Sequence, residues 1–479
     1  MDIFKSIKID KASETPLYIQ LSDELLNLIE QKELPSGSKL PPIRTLANQL
    51  DVNTVTVVNA YKHLEMKKVV YSRVGSGTYL AESDLNENVS LTKTLTTKRN
   101  LGKINTENCI NFADTSVSVN LFPVAGFKNY FNTVLERDKG AAFGYPESMG
   151  YEPLRITISE KLKNKGIKIS PERIQIISGA QQGLDIVSKA MLNANDIVFT
   201  EKPTYYGALG AIFSRGAQAV EIPVESDGIN IDVLKKLLKV YSPKFIYLMT
   251  TYQTPTGLCY SLKKKRELLE LAYKYNFYIV DEDNMGDFNY GSDKNISLKA
   301  LDYRSRVIYI KSFSKILMPG LRIGYMLLPK AVSTAVLSAK YSTDISTSGF
   351  IQRAFELYLK SNEHTNHIDR MRAFFSEKYK LITSLCDKLL SEYFDYTKYN
   401  GGLTIWLHIK GNCIACEELY TALLNNGVLI MPGSLFTTDD DEIKEHIRIS
   451  IANVTNDEIE KGIHIMSNVC KQLYTKNKL

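Results

Sequence analysis

The sequence predicts an α/β protein with an α+β portion, arranged as a small helical unit followed by a much larger one. Three observations carry this. The 479 residues are too many for one ordinary hydrophobic core. The first eighty show three helical periodicities and then a short hairpin pattern. From about residue 109, apolar runs alternate with helical stretches, the texture of a mostly parallel sheet covered by helices. At 44% hydrophobic and 23% charged residues, the composition is that of a globular protein. No run of eighteen apolar residues occurs, and the opening "MDIFKSIKIDK" lacks the apolar centre of a signal peptide. Six scattered cysteines suit a reducing compartment, so a cytoplasmic location is expected.

Taken in order, "PLYIQLSDELLNLIEQKEL" puts Leu17, Leu21, Leu25, Leu28 and Ile29 on one helical face. "PSGSKLPP" breaks that helix, and "IRTLANQL" forms a second carrying Ile43, Leu46, Ala47 and Leu50. A third helix, "TVTVVNAYKHLEMKK", places Val57, Val58, Tyr61 and Leu64 together, with Asn53 or Thr54 as its N-cap. "VVYSRVGSGTYLA" reads as two strands around a Gly-Ser-Gly turn. Three helices and a β-wing make a winged helix-turn-helix. In that geometry the start of the third helix offers Asn53, Thr54, Thr56 and Asn59 to base edges and phosphates. Arg44 and the wing residues Arg73, Ser76, Gly77 and Thr78 contact the DNA backbone. A small protein-interaction domain is the alternative reading of the same helices. Charge does not decide between them: residues 1–80 hold ten Lys or Arg against nine Asp or Glu, so DNA binding rests on placed residues.

The segments "PLYIQL", "GSKLPPIRTLA", "VNTVTVVNAYKHL" and "RVGSGTYL" resemble the GntR-type winged helix along its whole length, which implies binding to double-stranded operator DNA. That family usually has Ser-Arg where this chain has Asn53-Thr54, so the operator sequence does not carry over.

Residues 82–108 hold few large apolar residues and read as a flexible linker between a domain at 1–81 and the remainder. "RIQIIS", "DIVFTE", "KFIYLMT", "NFYIVDE" and "RVIYIKS" are the strands expected in a large domain at 109–340. Longer helices, "GGLTIWLHI" and "HIRISIA" form a smaller α+β domain at 341–479.

Within the large domain, "IYIKSFSKILMPGLRIGYMLLP" sets Lys315 after a strand, with Ser312 before it and Arg322 after it. "ISGAQQGLDIV" is a strand, a glycine turn and a helix start, an anion site at which the amides of Ala180 and Gln181 face a phosphate. Ser312 and Arg322 complete that cup. Tyr205 in "EKPTYYGAL" is placed to stack on a flat ring, and "NFYIVDEDN" brings carboxylates to a strand carboxyl end, where open sheets bind ligands. A lysine, a phosphate cup, a stacking ring and a carboxylate together describe a site for pyridoxal 5′-phosphate.

In this order, over about residues 110–470, the segments resemble the class I/II aminotransferases of fold type I. The resemblance implies that Lys315 forms the Schiff base, that Ala180, Gln181, Ser312 and Arg322 hold the phosphate, and that Tyr205 stacks on the ring. It also implies that Arg448 in "HIRISIANVTNDEI" binds an amino-acid carboxylate. The fusion resembles the MocR family of bacterial transcription regulators, to which "GYPESMGYEPLR" and "HIDRMR" are also similar. That implies a homodimeric regulator responding to an amino acid or to the cofactor. An active aminotransferase carrying a DNA-binding domain is the alternative, and a DNA-binding protein whose second domain only dimerises is a third.

The chain departs from these relatives at several positions. They carry Glu-Asp-Asp where it has Asp281-Glu282-Asp283. An ungapped match puts Glu282 at the pyridine nitrogen, and a one-residue shift puts Asp281 there. Asn284 and Met285 occupy the place of the tyrosine that contacts the ring hydroxyl, and Thr254 that of an asparagine before Pro-Thr-Gly. These losses favour a sensor over an efficient catalyst. Elsewhere, Cys413 and Cys416 have CxxC spacing but no second ligand pair, so no metal is expected. His364 and His367 read as solvated or packed histidines, and Tyr145 as either a core residue or one lining a partner's site.

Overall fold

The computed structural model describes residues 4, 7, 9, 10, 13, 15–30, 38–66, 69–73, 77–80, 109–292, 295–411, 414–438 and 445–477. It divides into two compact units, Met1–Ile104 and Asn105–Leu479. The expected linker at 82–108 lies outside the described residues, as do Ser76 and Cys413.

The smaller unit has helices Leu17–Glu30, Ile43–Gln49 and Thr54–Met66 and an antiparallel hairpin, Val70–Arg73 with Gly77–Leu80. Leu21, Leu25, Leu28, Leu46, Ala47, Val57, Tyr61 and Leu64 form its core with Val70 and Leu80, most of the helical faces that the periodicity predicts, while Leu17 and Val58 stay half-buried outside it. The hairpin gains a third edge because Leu40 donates its N–H to the Thr78 carbonyl and Leu80 to that of Ser38.

The larger unit is an eight-stranded sheet. In spatial order its strands are Ile174–Ile177, Gly324–Leu327, Val307–Ser312, Tyr278–Asp283, Phe245–Leu248, Ile197–Lys202, Gln218–Glu225 and Gly228–Ile229. The five from Val307–Ser312 to Gln218–Glu225 run parallel, as expected; Gly324–Leu327 and Gly228–Ile229 run against them, and Ile174–Ile177, antiparallel to Gly324–Leu327, runs with them. Helices Ala180–Met191, Tyr206–Phe213 and Lys330–Asp344 cover one face through Ile186, Val187, Ala208, Val332 and Val336, which meet Val280, Ile308 and Tyr247 of the sheet. The expected 340/341 boundary therefore falls inside a helix packed on the sheet. A second sheet joins Phe394–Asp395, Thr404–Ile409, His446–Ser450 and Met431–Pro432. Near the start of the unit, Ile110–Asn111 pairs in parallel with Val428–Leu429, so this segment sits with the carboxyl-terminal part. No helix among the described residues is long and apolar enough to cross a membrane.

Candidate functional site

Strand Val307–Ser312 is buried throughout and delivers the chain to a turn where the Ser314 N–H donates to Ser312 Oγ at 3.2 Å. The turn projects Lys315, whose Nζ donates to the Thr115 carbonyl at 2.9 Å and to Thr115 Oγ1 at 2.7 Å. Withdrawal from water, reinforced by the nearby Arg448 guanidinium, lowers the Lys315 pKa to about 8; Asp114 and Glu282 oppose the shift.

Beside it, Gly179 (φ +102°) lets the chain turn from strand Ile174–Ile177 into helix Ala180–Met191, whose start no side chain caps. Arg322 closes against this turn: its Nη2 donates to the Ser178 carbonyl at 2.6 Å, and a Cβ at Gly179 would lie 2.6 Å from that nitrogen. Glycine is thus required by its φ, and it leaves room for the guanidinium to come close. Tyr205 precedes helix Tyr206–Phe213 and donates to Gln181 Oε1 at 3.3 Å.

The two candidate carboxylates point to opposite faces, as strand alternation demands. Asp281 turns away from the lysine and accepts from the Thr250 N–H at 3.1 Å and Thr250 Oγ1 at 3.0 Å. Glu282 shares the helix-covered face with Val280, accepts from Tyr247 Oη at 2.8 Å and from Asn284 Nδ2, and influences both Lys315 and Tyr205. Burial raises Glu282 to about 7 against the pull of its two donors. Of the pair, only Glu282 lies on the face of Lys315 and Tyr205. No hydrogen bond among the described residues joins Thr254 to this group.

Arg448 enters from strand His446–Ser450. Its guanidinium lies 5.5 Å from the Phe436 ring centre and donates to the Ala113 carbonyl, and its buried Nε has no partner. Burial lowers its pKa to about 10, so it stays charged at neutral pH. The sequence reading missed Ala113, Thr115, Tyr247 and Phe436. Tyr247, a hydroxyl within the apolar run "FIYLMT", was a usable signal; the stretch around Thr115 has no periodicity to reveal it. Tyr145 is 87% exposed, which removes the core alternative. His367 is buried with Nε2 donating to the Ile316 carbonyl at 2.6 Å, and His364 meets Tyr358 edge-on. Cys416 is buried, and among the described residues no group of three or more metal-ligating side chains gathers.

In the smaller unit, Asn53 Oδ1 accepts the Val55 N–H at 2.9 Å, so Asn53 caps the third helix. Arg44, Thr54 and Asn59 are exposed and Thr56 is half-buried. Gly77 opens the second wing strand at φ +119°, Thr78 is half-buried, and Arg73 lies in the facing strand.

An uncapped helix start with an arginine beside it, a lysine with a depressed pKa, a buried carboxylate and a part-unsatisfied arginine gather at the carboxyl ends of parallel strands. With a winged helix ahead of it, this defines a DNA-binding module joined to an aminotransferase-like unit. The chain belongs to the aminotransferase class I and II family, matched over residues 115–465, and its first unit matches the gntR family of bacterial regulatory proteins over residues 17–80. It is 27% identical over 481 residues to the uncharacterized HTH-type transcriptional regulator YdfD of Bacillus subtilis, covering 97% of this chain and 98% of that one. It is 25% identical over 445 residues to the probable rhizopine catabolism regulatory protein MocR of Rhizobium meliloti, covering 88% of each. Pyrococcus horikoshii kynurenine aminotransferase, solved in complex with PMP, superposes with a TM-score of 0.75 at 30% identity, over 79% of this chain and 94% of that one.

Proposed function

We propose that this chain is a homodimeric DNA-binding transcription regulator whose larger unit binds pyridoxal 5′-phosphate and, through it, an amino acid. The observation that carries the reading is Lys315. It is a lysine whose basicity burial lowers, within electrostatic reach of the buried Arg448 and Glu282, in a chain that opens with a winged helix. The donor set fits a phosphorylated aromatic aldehyde. The amides at the uncapped start of helix Ala180–Met191, with Ser312 and Arg322, would receive a phosphate. Tyr205 would cover a ring face, and Glu282 would meet the ring nitrogen. When bound, the cofactor supplies an electron-withdrawing ring.

The protein's own part follows from its charges. Lys315 holds its neutral, nucleophilic form at a pH well below that of a solvated lysine. Arg448 would hold a carboxylate beside the Phe436 ring, and its unpaired Nε gives it a vacant donor for that ligand. The test is an absorbance titration of purified protein with pyridoxal phosphate, followed by a screen of amino acids. A covalent chromophore that responds to one amino acid supports the reading. Protein that takes up no cofactor, yet binds operator normally, leaves only a dimerising role for the unit. Steady turnover of an amino acid with a keto acid identifies an aminotransferase instead.

A further inference from the structure

We infer that Asn284 sets the protonation state of the bound cofactor by presenting a lone acceptor to its ring hydroxyl. This inference rests on the cofactor reading above.

Asn284 stands two residues beyond Glu282, just past the end of strand Tyr278–Asp283. Its Nδ2 donates to Glu282 Oε1, which places its amide beside the carboxylate on the lysine side of the sheet. That contact orients the amide when Glu282 is ionised: a carboxylate accepts but does not donate, so the nitrogen faces Glu282 and the oxygen faces away. Asn284 Oδ1 is buried and has no hydrogen-bond partner. A buried carbonyl without a donor is costly, on the order of 1–3 kcal/mol, and such an atom in a ligand site marks where a ligand donor belongs.

The turn carrying Asn284 is held firmly. Asp283 accepts from the Gly286 N–H at 2.8 Å, from Tyr309 Oη at 2.6 Å and from Lys311 Nζ at 3.2 Å, and Lys311 also pairs with Asp287 at 2.7 Å. The acceptor is therefore presented by a braced turn.

A hydroxyl donor beside the ring oxygen would stabilise it as an anion, so the shared proton would reside on the lysine nitrogen and the chromophore would absorb in the visible. An acceptor does the reverse. The proton stays on the ring oxygen, donated to Asn284 Oδ1, and the lysine nitrogen is left uncharged. One proton changes place and nothing is oxidised or reduced. The uncharged form absorbs in the near ultraviolet and is a weaker electrophile, so an incoming amine exchanges slowly. Slow exchange suits occupancy sensing better than turnover.

The experiment is an absorbance spectrum of the full-length protein with pyridoxal phosphate, with borohydride reduction and mass spectrometry to score attachment at Lys315. The expected result is attachment together with a predominantly near-ultraviolet band at neutral pH. Asn284→Ala, lacking the acceptor, should lower the near-ultraviolet to visible ratio about fivefold, and Asn284→Tyr should make the visible band dominant. Attachment with a dominant visible band in the unaltered protein overturns the inference and leaves the cofactor reading intact. So does a ratio unmoved in folded Asn284→Ala. Absence of attachment overturns the cofactor reading itself.

Discussion

Lys315 shows how burial sets reactivity at the level of one side chain. Its pKa falls from 10.5 to about 8, so its neutral fraction grows as pH rises toward 8 and saturates above it. The rate of pyridoxal phosphate attachment should therefore climb about tenfold per pH unit below that point and then flatten. Stopped-flow absorbance reads this directly, and a rise continuing to pH 10 would show an ordinary solvated lysine. Arg448→Ala should leave attachment intact and remove the spectral response to amino acids; an unchanged response would mean that the effector has no carboxylate. Lys315, Ser312 and Arg322 were legible because they share one short segment whose residue types are unusual together. The carboxylate was not. Alternation says that Asp281 and Glu282 oppose each other, but which face meets Lys315 depends on where helix Ala180–Met191 packs.

Among the elements, the third helix of the small unit carries the clearest expectations. Its N-cap was ambiguous between Asn53 and Thr54, because both residue types cap; the Val55 amide selects Asn53. Asn53→Ala should then lower the stability of this unit by ~1 kcal/mol in denaturant unfolding. Thr54→Ala, altering an exposed residue of the first turn, should relax discrimination between operator sequences by ~1–3 kcal/mol. Arg44→Ala should weaken all sequences alike and reduce the salt slope by about one. Competition binding at two salt concentrations separates these cases; Arg44→Ala acting on one sequence alone would contradict a phosphate contact. In the sheet, strand Ile197–Lys202 buries Glu201 against Tyr260 Oη at 2.8 Å and the Met249 N–H at 3.1 Å, and desolvation raises it to about 8. Between pH 4.5 and 8 the folded form thus binds more protons than the unfolded chain, so this residue's contribution to stability is lost as pH rises through that window. Glu201→Gln should flatten that part of the pH–stability curve, and a slope equal to that of the unaltered protein would place the titration elsewhere.

For the molecule as a whole, the two-unit plan was readable because periodicity changes character near residue 109 and each unit carries its own local motifs. The union of Ile110–Asn111 with Val428–Leu429 was not readable, since two residues pairing across more than three hundred positions leave no local trace. An effector can alter DNA binding only by its unequal affinity for the conformations involved. Lys315→Ala and Arg448→Ala should both lose effector control in a reporter assay while their amino-terminal unit still binds operator. Retained control in Arg448→Ala would point to the cofactor itself as the signal.

That two-residue union has a mechanical side. Just beyond it, the Phe112 carbonyl accepts from the Ser450 N–H at 2.8 Å, Ala113 receives the Arg448 guanidinium, and Thr115 receives the Lys315 amine at 2.9 Å. A load arriving along the chain at Cys109 therefore reaches both cations of the pocket within a few peptide units, and the stitch to Val428–Leu429 takes up the strain first. The two cations on which that short rein pulls are the ones proposed to meet the cofactor and its ligand. Occupancy and tension would then act on the same few atoms of backbone.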